Sequence, residues 1–223
     1  MSRPIALLVL LSLPAVGCGR EPASNQTAPR GSTTEARPER KAAEPLPDIV
    51  RVRLETDMGA IVVALDAKRA PLTAANFVRY AEDGKFDGTT FYRAARTPGS
   101  PAGEGARGFI QGGIRRDYRR MHPPVAHEPT SETGLRHEAG TISMARTDPG
   151  NAMGEFFITA NRMPAMDARG GEPGYAAFGR VVEGMDVVRR ILAAPTAADA
   201  GRGAMRGQML EAPVRIVRAV RVD

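Results

Sequence analysis

Apolar and polar positions alternate over Val50-Arg51-Val52-Arg53-Leu54, and the run Ala60-Ile61-Val62-Val63-Ala64-Leu65 is apolar throughout. The first has a period of two and the second is a short apolar run; both predict strands. Asp57-Met58-Gly59 between them predicts a hairpin turn. After Pro71 the pattern becomes helical. A helix is expected from Leu72 to Ala81, with Ala75, Phe77 and Val78 on its core face, proline in its first turn and Asp83-Gly84 closing it. Short strands follow at Thr89–Arg93, Phe109–Gln111, Gly140–Ala145, Phe156–Thr159 and Ala176–Val181. A second helix spans Met185–Leu192, and Val214–Val222 is the last strand. Many short strands between glycine-rich turns, with two helices, predict a mainly β fold closed or nearly closed into a barrel. There is neither the strand–helix alternation that a parallel sheet requires nor an internal repeat.

The first 48 residues do not fit this pattern. Arg3 and the amino terminus precede an apolar run from Ile5 to Leu13, then small residues and Cys18, the only cysteine. That order predicts a secretory signal over residues 1–17. The run is far shorter than the roughly 20 residues of a membrane-spanning helix. The alternative, a buried element of a packed domain, is disfavoured because nothing compact follows it. Ala15-Val16-Gly17-Cys18 resembles the lipobox of bacterial lipoproteins, although leucine is more common where Ala15 stands. The resemblance implies that Cys18 is acylated and anchors an exported chain to a membrane, at the periplasmic or another extracytoplasmic face. Cleavage nearby without acylation is the alternative. Residues 18–48 combine Pro, Ala, Ser, Thr and charge with no aromatic residue. They cannot bury enough surface to offset ordering, so they are read as a disordered tether. Asn25-Gln26-Thr27 matches a glycosylation pattern, which in this context is read as chance.

Residues 49–223 are long enough for one substantial core and contain no cysteine, so packing rather than disulfides must hold them. The net charge of +6 lies mostly here and is scattered among arginines. The densest group, Arg115, Arg116, Arg119 and Arg120, has no aromatic platform beyond Tyr118, and a solvated face is a better reading than a nucleic-acid surface. Gly103-Glu104-Gly105-Ala106-Arg107-Gly108 fits G-x-G-x-x-G but neither follows a strand nor opens a helix, so a dinucleotide site is not expected. His122, His127 and His137 match no common zinc spacing. Ser131 and Ser143 lack a nucleophile-elbow context and an obvious base.

Other segments are more specific. They are Pro71-Leu72-Thr73-Ala74-Ala75-Asn76-Phe77, Phe86-Asp87-Gly88-Thr89-Thr90-Phe91-Tyr92-Arg93 and Phe109-Ile110-Gln111-Gly112-Gly113. His127-Glu128, Gly140-Thr141-Ile142-Ser143-Met144-Ala145-Arg146, Glu155-Phe156-Phe157-Ile158 and Tyr175-Ala176-Ala177-Phe178-Gly179-Arg180-Val181-Val182-Glu183-Gly184-Met185 follow in order. Together, from about residue 50 to the end, they resemble the cyclophilin-type peptidyl-prolyl cis-trans isomerases. The resemblance implies a closed eight-stranded antiparallel barrel capped by two helices, with a substrate groove on its outer surface. The implied substrate is an X-Pro bond in an unfolded or flexible polypeptide. It implies no cofactor or metal, and the chain is expected to act as a monomer.

Rotation about a prolyl amide has a barrier of about 20 kcal/mol, because the nitrogen shares its lone pair with the carbonyl. In the twisted state that sharing is lost and the nitrogen becomes a better acceptor. A fixed donor that meets it only then accelerates rotation by differential binding, without a nucleophile or general base. The resemblance makes Arg93 that donor and Gln111 the groove glutamine that bonds the substrate backbone and orients the arginine. It makes Met144 and Phe157 apolar walls of the proline pocket, places Ala145 and Arg146 beside the peptide backbone, and puts Met166 on the substrate side.

The chain departs from the family pattern in several places. The stretch 94–108 is longer than usual, and Gly108 stands where a pocket phenylalanine is usual. Phe109, one place later, is expected on the opposite face by alternation. Ala165 replaces the rim aromatic and Glu155 a glutamine, and Tyr175 lies near the place of a rim histidine. A pocket thinned of aromatics is expected, and the lack of tryptophan implies weak binding of the family's cyclic-peptide inhibitor. An active isomerase is favoured by Arg93, Gln111, Met144 and Phe157, whereas Gly108 and Ala165 favour a catalytically weak module that binds proline-containing segments.

Overall fold

The computed structural model of the protein describes residues 45–101, 103–115 and 117–222. The expected signal, Cys18 and residues 18–44 of the tether lie outside them. Leu46, assigned from the sequence to the tether, packs against the core, and the Asp48 carbonyl accepts from the Lys68 amide.

The hairpin β1 (Ile49–Thr56) and β2 (Gly59–Asp66) opens the domain. Next come α1 (Pro71–Glu82), β3 (Thr90–Arg96), β4 (Gly108–Gly113) and the single turn α2 (Thr130–Thr133). They are followed by β5 (Thr141–Met144), β6 (Glu155–Thr159), β7 (Ala177–Glu183), α3 (Met185–Ala193), β8 (Thr196–Ala197) and β9 (Met209–Val222). The pairing order is β1-β2-β7-β5-β6-β4-β3-β9, and β9 returns to β1. Every pair is antiparallel, so the eight strands close with no free edge. The two-residue β8 hangs on β9. Neither β8 nor α2 is marked in the sequence, since each is too short to carry a period.

Alternation builds the interior. Val50, Val52 and Leu54 of β1 and Ile61, Val63 and Leu65 of β2 point into one core, where α1 contributes Ala74, Phe77, Val78 and Ala81 and α3 contributes Val187, Val188, Ile191 and Leu192. Ala75, expected on the core face of α1, is exposed, and Tyr80 is buried instead. The buried arc runs through 73, 74, 77, 78, 80 and 81, and position 75 falls outside it. Glu128 closes the start of α1. Its carboxylate accepts from the backbone amides of Leu72 and Thr73 and from the Thr73 hydroxyl. An acidic group here meets unpaired amides and the positive end of the helix dipole, which explains the His127-Glu128 segment without invoking a metal.

Candidate active site

A break in regular pairing sets the site. Phe91 opposes Gly112 and Arg93 opposes Gln111, so Tyr92 is an extra residue in β3. Phe91 and Ala94 both face the core. Strict alternation from Phe91 would send Arg93 inward too; the bulge turns Tyr92 and Arg93 to the outer face. The strands approach closely here. A Cβ on Gly112 would lie 2.8 Å from both the Thr90 carbonyl and the Phe91 ring.

The pairing then lays out one row across the barrel: Arg93 opposes Gln111, Gln111 opposes Phe157, and Phe157 opposes Ser143. The row runs beneath a groove of about 400 Å³ lined by Arg93, Phe109, Gln111, Ala145, Arg146, Phe157, Met166 and Tyr175, among others. The structure therefore brings together every expected site residue it describes except Met144. Met144 is 2% exposed and belongs to the core, because it shares a face with Ile142 two residues earlier. The expectation that it walls the pocket is corrected.

Phe109 is a second correction. It lies two positions from Gln111, on the same outer face, while Ile110 between them is buried in the core. Its ring centroid is 5.2 Å from that of Phe157, and the Arg93 guanidinium sits over it at 5.0 Å. Gly108 could not supply the aromatic. Its φ is +139°, and a Cβ there would meet the Ala95 carbonyl oxygen at 2.0 Å. Tyr175 packs edge-on to Phe157 with centroids 5.4 Å apart. The pocket is thus not depleted of aromatics, although Ala165 leaves its own position exposed.

Arg93 is half-buried and held on several sides. Its Nη1 donates to Gln111 Oε1 at 2.8 Å, and its Nε and Nη2 donate to Gln208 Oε1 at 2.9 and 2.7 Å. Burial lowers its pKa from the ordinary 12.5, yet a guanidinium stays protonated in a protein. Gln208 is absent from the sequence-based set because it lies in an irregular segment before β9 and in none of the resembling motifs. Glu155 takes a hydrogen bond from the Tyr92 hydroxyl at 2.8 Å. Burial, and then the Glu155 charge, raise the Tyr92 phenol far above its usual value, which keeps it a donor. Arg146 lies over the Tyr175 ring at 5.0 Å and donates to the Gly174 carbonyl.

Ser143, at the end of the row, does have a neighbouring base, contrary to the sequence reading. His137 Nε2 lies 3.0 Å from its Oγ, and Nδ1 lies 2.7 Å from Asp167 Oδ1. Asp167 can only accept when ionised, so Nδ1 carries the proton and Ser143 donates to Nε2. Serine and histidine are both fully buried, and His137 stacks behind Phe157 with an interplanar angle of 11°. The triad supports the pocket wall; no substrate reaches it. Burial, opposed by Asp167, lowers the His137 pKa below its ordinary 6.5. The unfolded chain therefore takes up this proton first on acidification, and stability is lost as pH falls from about 6.5 toward the folded-state value. The expected result is a Tm that declines over that window, with a shallower slope in His137→Asn.

The other two histidines have separate structural partners: His122 pairs with Asp83 at 3.0 Å and His127 Nε2 lies 2.9 Å from the Pro173 carbonyl. Among the described residues no cluster of His, Cys, Asp or Glu could hold a metal ion. Arg120, from the basic cluster, donates to the carbonyls of Lys85 and Asp87.

The family described as "Cyclophilin type peptidyl-prolyl cis-trans isomerase/CLD" matches residues 51–220. Peptidyl-prolyl cis-trans isomerase A of Dickeya dadantii is 39% identical over 144 residues, covering 63% of this chain and 70% of its own length. A peptidyl-prolyl cis-trans isomerase of Streptomyces antibioticus is 35% identical over 155 residues, covering 67% and 87%. The crystal structure of a cyclophilin type peptidyl-prolyl cis-trans isomerase of Cryptosporidium parvum superposes with a TM-score of 0.60 at 19% identity, covering 78% of this chain and 98% of that one. The eight-stranded barrel, the row of Arg93, Gln111 and Phe157 on its outer face, and the family match over residues 51–220 place this chain in the cyclophilin-type peptidyl-prolyl cis-trans isomerase family.

Proposed function

We propose that the chain accelerates rotation of X-Pro bonds in exported unfolded or flexible polypeptides. One observation carries the reading: the Arg93 guanidinium is held rigidly at the edge of an aromatic pocket formed by Phe109, Phe157 and Tyr175. In this reading the proline ring seats on Phe157, with Met166 and Tyr175 at its sides. Gln111, Ala145 and Arg146 flank the peptide backbone, and an Arg93 N–H meets the prolyl nitrogen as it becomes pyramidal in the twisted state. That contact exists only at the top of the barrier, so it raises kcat rather than ground-state affinity. The chemistry needs no proton transfer and no covalent intermediate. The aromatic pocket favours this reading over a weak binding module, whose support was the loss of aromatics at Gly108 and Ala165. The test is the isomerisation rate of a proline tetrapeptide with the full chain. Acceleration above the uncatalysed exchange is expected, and binding without acceleration would leave the module.

The proposal extends to where the enzyme works. The signal-like residues 1–17 and the lipobox-like Cys18 support export followed by acylation. One acyl chain binds reversibly, and stable anchoring needs a second signal. The tether would then let the groove search for clients near a membrane. In a bacterial host, a fatty-acid analogue is expected to label the chain, and Cys18→Ser to abolish the label; label retained in that variant would exclude Cys18 as the site.

A further inference from the structure

We infer that Gln208 is a positioning residue for Arg93, which gives the catalytic arginine a second clamp besides Gln111; this rests on the isomerase reading above. A guanidinium has five N–H donors in a rigid plane. Gln208 Oε1 takes two of them along one edge, from Nε at 2.9 Å and Nη2 at 2.7 Å, whereas Gln111 Oε1 takes one from Nη1 at 2.8 Å. A single acceptor on Nη1 leaves the plane free to swing about the Cδ–Nε bond. An acceptor shared by Nε and Nη2 fixes it. Two N–H groups remain for a substrate.

The clamp is itself held in place. The Gln208 amide donates to the Met205 carbonyl at 3.1 Å, and its own carbonyl accepts from the Ala94 amide at 2.9 Å, beside Arg93 in β3. Gly207, which precedes it, has φ +74° and donates to the Ala200 carbonyl at 2.8 Å. The segment between α3 and β9 is thus folded back onto the bulged strand. These backbone bonds do not depend on the side chain at 208, so replacing that side chain leaves the turn intact.

Orientation matters because the donor must meet a nitrogen whose geometry changes during the reaction, and small misplacements of reacting groups are costly. Gln208→Met, of similar length and without an acceptor, is expected to lower kcat about ten-fold with KM and Tm unchanged. Gln208→Glu keeps an acceptor at the same reach and is expected to retain most of the rate. The Arg93 Nε–H resonance is expected to be protected from solvent exchange in wild type and Gln208→Glu, and to exchange rapidly in Gln208→Met. Wild-type rate and continued protection in Gln208→Met, with Arg93→Ala slowed about 100-fold, would overturn this role alone. Absence of catalysis in the wild type would overturn the isomerase reading and the positioning role with it.

Discussion

Arg93→Ala is expected to lower kcat/KM for a proline tetrapeptide about 100-fold while Tm changes little. The magnitude follows from removing one preorganised donor, worth about 3 kcal/mol of transition-state stabilisation in comparable sites, where each 1.4 kcal/mol is a factor of ten. The fold survives because Arg93 lies on the outer face. The partners it leaves, Gln111 and Gln208, can turn to groove water. Affinity for a proline-containing peptide is expected to hold, since Phe157, Phe109 and Tyr175 supply the apolar surface. Equal rates for the variant and wild type would remove Arg93 from the mechanism. A parallel fall in affinity would assign it to ground-state binding.

Phe77→Ala is expected to destabilise the domain by about 3–5 kcal/mol, the usual range for emptying a buried phenylalanine site. At this chain length that is a fall in Tm of roughly 10 °C. Phe77 is wholly buried, and its ring centroid lies 4.8 Å from Phe86, 5.1 Å from Phe156 and 5.4 Å from Phe178. The cavity would thus open among rings from the turn after α1, β6 and β7, which their own backbones hold apart. Leu72 on the same helix is 51% exposed, and Leu72→Ala is expected to change stability by no more than about 0.5 kcal/mol. Chemical denaturation of both variants checks the contrast. A small loss for Phe77→Ala would mean that the core repacks.

Hydrophobic period located the main strands and helices because burial acts on whole elements. It is silent on β8 and α2, which are too short to repeat a period. Counting from Gly108 puts Phe109 on the wrong face, whereas counting from Gln111, two positions on, puts both on the groove side. Met144 was assigned to the pocket by resemblance, yet its own alternation with Ile142 already sends it inward. In both cases a residue two positions away on the same strand was the better guide.

The sequence by itself determined the barrel-forming pattern, and the continuous segments that resemble the cyclophilin-type isomerases pointed to Arg93, Gln111, Ala145, Arg146, Phe157 and Met166, which line one groove. Tertiary structure decided the outward turn of Arg93, since a bulge exists only when β3 meets β4 and one strand has a residue too many. It also decided the grip of Gln208, which lies 115 residues away, and the support of Phe157 by His137, which comes from a different loop. No local pattern encodes such meetings, because they depend on where chain closure puts surfaces that are distant in sequence.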